Sequence, residues 1–154
     1  MTRSLYALVP ASYLLLQRGS EVLLQRRAGT GYMDGHWVAG AAGHVEPGET
    51  AAEAAVREAQ EELGIGVRAA DLRLLTVMQR TDGTDDPREQ RVDWFFTTQR
   101  WTGVPQVMES HKCAEIAWHA FNRLPNPIPA YERIVIEGLA TGDLPLNTAV
   151  GFAH

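Results

Sequence analysis

The sequence predicts an α/β/α sandwich built on a mixed β-sheet. Three observations carry that prediction. Several short runs of Leu, Val, Tyr and Phe are bounded by turn residues, as strands are. One strongly amphipathic, well-capped helix spans residues 50–63. The elements follow one another as two strands, a loop, a helix, three strands and a helix, an order suited to a sheet with helices packed on it.

Leu5 to Gln17 reads as a first, buried strand that ends at the turn signal Gly19-Ser20. Glu21 to Arg27 follows at once, so the two form a hairpin. The stretch Gly29 to Gly48 is dense in glycine and reads as irregular backbone. Thr50 to Leu63 is the best helix, stopped by Gly64. Leu72 to Arg80 and Arg91 to Gln99 read as strands on either side of an acidic turn, Thr81 to Glu89. A short strand, Glu115 to Ala120, leads to a rigid connector holding Pro125, Pro127 and Pro129, and a second helix runs from Tyr131 to Leu139. With no internal repeat, low-complexity tract or linker, residues 1–154 are expected to form one domain.

Bulk properties narrow the function classes. The formal net charge of −5 argues against general nucleic-acid binding, which leaves a basic footprint. It leaves room for a small anionic substrate, because a bound metal supplies positive charge locally. Cys113 is the single cysteine, so no intrachain disulfide can form, and a cytoplasmic location is expected. The most apolar stretch, Leu5 to Leu16, is interrupted by Pro10, Ser12 and Tyr13, so neither a membrane span nor a signal peptide is expected.

The helix at 50–63 carries the chemistry. Thr50 is a good N-cap, and Glu53 three residues on completes a capping box. Ala52, Ala55, Val56, Ala59 and Leu63 form a stripe of small and apolar residues fit to lie against a sheet. Glu58, Glu61 and Glu62 converge on an adjacent face, where like charges cost roughly 0.2–0.5 kcal/mol per pair. A solvated acidic face is the ordinary explanation of such a cluster. The loop in front changes the balance: Gly43 to Gly48 (GHVEPG) brings flexible backbone and another acid, Glu46, to the start of the helix. Loop carbonyls and convergent carboxylates are what a hard divalent cation binds.

Gly43, Glu49, Arg57, Glu58, Glu61, Glu62 and Gly64 match every fixed position of the Nudix box, G-x5-E-x7-R-E-U-x-E-E-x-G-U, with Ala59 and Ile65 in its apolar slots. Seven such matches arise by chance with a probability on the order of 10⁻⁸ per starting position. The chain therefore resembles the Nudix hydrolases, most closely the MutT-like nucleotide pyrophosphohydrolases. The resemblance implies Mg²⁺ as cofactor, with Mn²⁺ able to substitute, and a small nucleotide as substrate. It makes Glu61 and Glu62 metal ligands and Glu58 either a third ligand or the general base, with the carbonyl of Ala42 joining the metal shell. Glu49 and Arg57 match a pair that ties loop to helix, and Gly43 and Gly64 are structural. One departure is visible: the family's Pro-Gly-Gly-like entry to the box reads Gly40-Ala41-Ala42-Gly43 here.

Outside the box, Trp101-Thr102-Gly103-Val104-Pro105 resembles the W-x-G-x-P turn of nucleotide-cleaving relatives, which place a further metal-site carboxylate soon afterwards. Glu109 occupies that place, with a surface loop acid as the competing explanation. Arg26 and Arg27 match basic residues that contact substrate phosphates, and because they alternate along a strand only one can face the cleft. Tyr32, Trp37, Phe96 and Tyr131 are candidate base-stacking residues, each also at home in a core. Asn122 and Asn126 are candidate base-reading amides; His44 and His111 are candidate acids or bases beside the site. Cys113 reads as structural and the acids Asp82, Asp85, Asp86 and Glu89 as a solvated turn without calcium-loop spacing.

A nucleoside triphosphate cut to a monophosphate and pyrophosphate is the expected reaction. Dinucleoside polyphosphates, nucleotide sugars and ADP-ribose share the same box. A Nudix scaffold that senses nucleotide without cleaving it is the non-catalytic alternative, set against the complete set of box glutamates. A homodimer is compatible with the sequence, and no nucleic-acid or membrane partner is expected.

Overall fold

The computed structural model describes residues 3–153. Its strands are β1 (Val9–Arg18), β2 (Glu21–Arg27), β3 (Trp37–Ala39), β4 (Ala41–His44), β5 (Arg73–Arg80), β6 (Arg91–Thr98), β7 (Cys113–Ala120) and β8 (Asn147–Val150). Two helices, α1 (Ala51–Leu63) and α2 (Ala130–Thr141), complete the framework. The sheet is mixed. β1 runs parallel to β6, and β5 parallel to β8, while β5 and β6 pair antiparallel.

The β1–β2 hairpin is a fork rather than a ribbon. The strands pair only at Gln17–Val22 and Arg18–Glu21, next to the turn. Beyond that point one bent segment fills the gap: β3 pairs with β2 over Leu24 to Arg26, and β4 pairs with β1 over Ala11 to Leu14. The bend falls at Gly40, where a Cβ would lie 3.2 Å from the carbonyl oxygen of Leu23. A residue without a side chain permits that approach. On its other edge β2 pairs with β7.

Side chains alternate across the pleat and divide the molecule into two cores. Leu14, Leu16 and Phe96 face α1, where they pack with Ala55, Ala59, Leu63 and Ile65. Tyr13, Leu15, Met78 and Phe95 face the other way and pack with Val135, Ile136 and Leu139 of α2. Helix, sheet and helix thus form the expected sandwich. Thr50 caps α1 by accepting from the Glu53 N–H at 3.1 Å, and Gly64 ends it in the left-handed region at φ 67°. The Ser12 hydroxyl, buried on β1, donates to the Ala51 carbonyl at 2.6 Å and fixes the start of the helix on the sheet. Ala55, Ala59 and Leu63 are buried as expected. Ala52 and Val56 are only half-buried, and Ala54 and Glu58 take the inner positions instead.

Three expectations need correction. The first strand begins at Val9, not Leu5, and Leu5 is 92% exposed. The first β1–β6 pair is Val9 with Arg91, so residues 3–8 have no strand paired beside them. Next, Gly29 to Gly48 is not irregular throughout. Gly29, Gly31 and Gly35 are left-handed in its first half and Gly48 at its end, and β3 and β4 form between them. Finally, β8 was not anticipated; it is four residues long and half-exposed, and its partner β5 lies far away in sequence. Among the described residues no helix is long and apolar enough to cross a membrane.

Leu14 is fully buried. Leu14→Ala should lower unfolding free energy by roughly 2–5 kcal/mol, whereas Leu5→Ala should stay within about 0.5 kcal/mol, both read from urea denaturation.

Candidate active site

Arg57 organises the acidic helix. Its Nε donates to Glu49 Oε2 at 2.8 Å and its Nη2 to Glu49 Oε1 at 2.9 Å, a bidentate fork. Nη2 also donates to the His44 carbonyl at 3.0 Å, which joins loop to helix. Nη1 reaches Glu58 Oε1 at 2.7 Å and Glu61 Oε2 at 3.3 Å, with Glu46 Oε1 at 3.8 Å. Its hydrogen bonds to Glu49 hold that carboxyl well below the usual range, at about 2. The same bonds, with those to Glu58, raise Arg57 above its ordinary value.

Glu58 lies on the sheet side of α1, directly against the loop. A Cβ on Gly43 would run into the Glu58 carboxyl group. Glycine at that position is therefore a requirement of close approach. Glu62 is half-buried and lines a cavity of about 340 Å³. Its Oε2 accepts from Gln25 Nε2 at 2.9 Å, and its Oε1 accepts weakly from the Ala42 N–H at 3.4 Å. Burial pushes the Glu62 carboxyl up more strongly than Gln25 pulls it down, and the charge of Glu58 beside it adds to the rise. Glu61 stays half-exposed on Arg57.

The segment after the W-x-G-x-P turn docks on the end of the same helix. Gly66 and Thr102 exchange backbone hydrogen bonds of 3.0 and 2.9 Å. Gln106 then donates to the Leu63 carbonyl at 3.0 Å and Met108 to the Glu62 carbonyl at 3.2 Å. These contacts carry Glu109 into the cavity wall with Ala42, Gly43, His44 and Glu62. Its carboxylate lies 3.5 Å from Lys112 Nζ.

The other candidates separate cleanly. Arg27 lines the cavity, and its Nε donates to the Tyr32 carbonyl at 2.9 Å. Arg26 points the other way and pairs with Glu115 of β7 at 3.0 Å. Tyr32 is an exposed lining residue of the cavity, and Tyr131 lines it half-buried. Trp37 is packed edge-on against the His119 ring at 4.7 Å and does not line the cavity. Phe96 belongs to the core beneath α1. Asn126 Oδ1 accepts from Arg133 at 2.9 Å, Asn122 is exposed, and His111 is exposed outside the cavity. Cys113 is buried in the cavity wall and its Sγ contacts the Glu115 carbonyl at 3.2 Å. Asp82 and Asp86 cap their own turn through Thr84 and Arg88.

Sequence reading missed Gln25, Tyr13, Arg80 and Glu132, all of which line the cavity. A signal existed for the last: Glu132 shares the helical stripe of Val135, Ile136 and Leu139, where an apolar residue belongs.

In donor chemistry the candidate ligands suit a hard cation: they are all oxygen, and two carboxyls, the buried Glu58 and the half-buried Glu62, stand side by side. Among the described residues no three His, Cys, Asp or Glu side chains stand in a metal-holding arrangement, and Arg57 Nη1 engages both Glu58 and Glu61.

The NUDIX domain model matches residues 8–138. The chain belongs to the Nudix family. It is an enzyme that hydrolyses a pyrophosphate bond in a nucleoside diphosphate derivative, as that family does, and Nudix hydrolases generally use divalent metal ions. No curated protein sequence matches it significantly. Among solved structures it is similar to a MutT NUDIX hydrolase from Burkholderia pseudomallei, at 27% identity over 85% of this chain and 97% of that one, with a TM-score of 0.76. A mutator MutT protein from Bacillus halodurans matches at 22% identity over 92% and 88%, TM-score 0.71. A UDP-X diphosphatase shares the fold at 14% identity over 95% and 69%, TM-score 0.63.

The depressed value of Glu49 means its ionised form stabilises the fold. That contribution is present above about 4.5 and is lost as pH falls toward about 2. Wild-type melting temperature should therefore drop through this window, and Glu49→Gln should show a lower, flatter profile.

Proposed function

We propose that this enzyme cleaves a nucleoside triphosphate to a nucleoside monophosphate and pyrophosphate, with Mg²⁺ as cofactor and Mn²⁺ able to replace it. The observation that carries this reading is the Glu62 carboxyl, set in the cavity wall beside Glu58 with Ala42 and Glu109 in the same wall. Glu58, Glu61, Glu62, Glu109 and the Ala42 carbonyl are the oxygen ligands in this reading.

When bound, the cation neutralises phosphate oxygens and makes an attacking water more acidic. The chain's own groups do the rest. Arg27, held at the rim by Thr30 and Tyr32, offers positive charge to the polyphosphate. The water oxygen forms a bond to phosphorus as the anhydride P–O bond breaks, and pyrophosphate departs with that bonding pair. The water's proton passes to a box carboxylate, for which Glu58 is the candidate that the resemblance leaves between ligand and base. Gln25 keeps Glu62 in place by donating to it and to the Ala39 and Gly40 carbonyls at 3.2 and 3.1 Å.

The test is phosphate and pyrophosphate release from a panel of nucleoside triphosphates, nucleotide sugars and dinucleotides. Chelation should abolish turnover, and added Mg²⁺ or Mn²⁺ should restore it. Glu62→Gln should lower kcat by at least about 10²-fold without loss of metal-free stability. Full turnover in excess chelator, or wild-type kcat in the variant, would overturn the reading.

A further inference from the structure

The cavity wall holds a cation that the hydrolytic chemistry above leaves unused. Of the 14 lysine and arginine residues, Lys112 is the only lysine, and it lines the cavity. Its main chain is fixed on both sides. The Lys112 N–H donates to the Glu109 carbonyl at 2.9 Å, and the Lys112 carbonyl accepts the Ala28 N–H at 3.0 Å. Gly29 approaches the preceding residue, His111, so closely that a Cβ on it would stand 2.5 Å from the carbonyl oxygen. Lys112 is therefore seated against the residue that follows Arg27, and both cations line the same cavity.

The side chain is loosely held. It is 58% exposed, and its Nζ stands 3.5 Å from Glu109 Oε2, beyond ordinary hydrogen-bond length. An exposed pair of this kind contributes little to stability. The other cations of the cavity wall are more firmly committed. Arg27 donates to the Tyr32 carbonyl and to Thr30 at 2.9 and 3.1 Å, Arg80 to Asp93 at 2.9 Å, and Arg88 to Asp86 at 2.9 Å. Arg91 stands 3.7 Å from the buried Asp93. Residue type matters as well. A guanidinium fork suits a fixed pair, whereas an ammonium on a flexible stem is a compact charge that can turn from one anion to another.

We propose that Lys112 is a phosphate-binding residue whose ammonium turns from Glu109 to the polyphosphate of the bound nucleotide, alongside Arg27. The inference rests on the nucleotide reading above, in which Glu109 is an oxygen ligand. A carboxylate in that role releases Lys112, and the anion that enters the cavity takes its place. The anchors at Glu109 and Ala28 are backbone bonds, so the side chain changes partner without moving the loop. The attraction acts on the substrate before and during bond breaking, so its loss falls on binding rather than on turnover.

A chain with one lysine lets this be read directly. Reductive methylation with ¹³C-formaldehyde labels Lys112 and the amino terminus and keeps both positive; Lys112→Arg, which lacks one of the two signals, assigns them. The probe is inorganic pyrophosphate, titrated in the presence of Mg²⁺, with Mg²⁺ alone as the reference. The Lys112 methyl signal should move further, along a saturable curve, as pyrophosphate is added. In hydrolysis of the best nucleoside triphosphate, Lys112→Gln should raise KM by on the order of tenfold with kcat within about twofold of wild type. Lys112→Arg should recover most of that loss, and both variants should keep the wild-type melting temperature because the side chain is exposed. If calorimetry shows pyrophosphate bound while the Lys112 signal stays where Mg²⁺ put it, or if Lys112→Gln keeps the wild-type KM, the proposal is overturned. A fall in kcat at unchanged KM also overturns it and leaves Lys112 the task of holding Glu109. If wild type binds no pyrophosphate and hydrolyses no nucleotide, the nucleotide reading itself fails.

Discussion

The arrangement of the site depends on a single cation among acids. α1 carries three glutamates within five residues, and two more, Glu46 and Glu49, come from the loop before it. Unaided, these charges would repel one another across the loop–helix junction. Arg57 prevents this with one planar group, which binds Glu49 through two nitrogens and spends its third on Glu58 and Glu61. A lysine, with its compact point charge, could not make the same fork. Because Nη2 also takes the His44 carbonyl, the interaction that balances the charges also fixes the loop that leads into the helix.

The sheet has two unlike faces. Its α1 face is apolar, and small alanines let the helix lie close enough for Glu58 to sit against Gly43. Its α2 face begins as an ordinary core around Leu15, Met78 and Phe95 and becomes polar where Tyr13, Arg80, Asp93 and Glu132 gather. Burying such groups in an apolar layer disfavours folding unless they are paired. Arg80 and Asp93 satisfy that condition at 2.9 Å; Glu132 satisfies it with only one oxygen.

What could be read from the sequence was local. Thr50, Glu53 and Gly64 specify the ends of α1 within a few residues of chain, and the Arg57–Glu49 tie spans only eight positions. The choice between Arg26 and Arg27 was beyond such reasoning, because alternation says that they diverge but not which way β2 faces. The same limit hid β8, whose register is set by β5 some seventy residues earlier, and Gln25, an unremarkable polar residue whose partners lie on β3, on α1 and at Gly40. The N-terminal strand was drawn too long because Leu5 and Tyr6 look like strand residues; only the absence of a neighbouring strand at that end excludes them.

The fork between β1 and β2 has a consequence for how the cleft is made. In a closed hairpin, the main-chain groups on the facing edges would satisfy one another, and no side chain could be inserted. Here the strands part after two pairs, and the bent segment that fills the opening leaves two carbonyls, at Ala39 and Gly40, turned toward Gln25. A gap in the strand pairing thus becomes a socket: the backbone anchors an amide, and the amide aims a carboxylate. The position of the Glu62 carboxyl is thereby tied to the main chain of β3 and to the bend at Gly40, not to any flexible side chain alone.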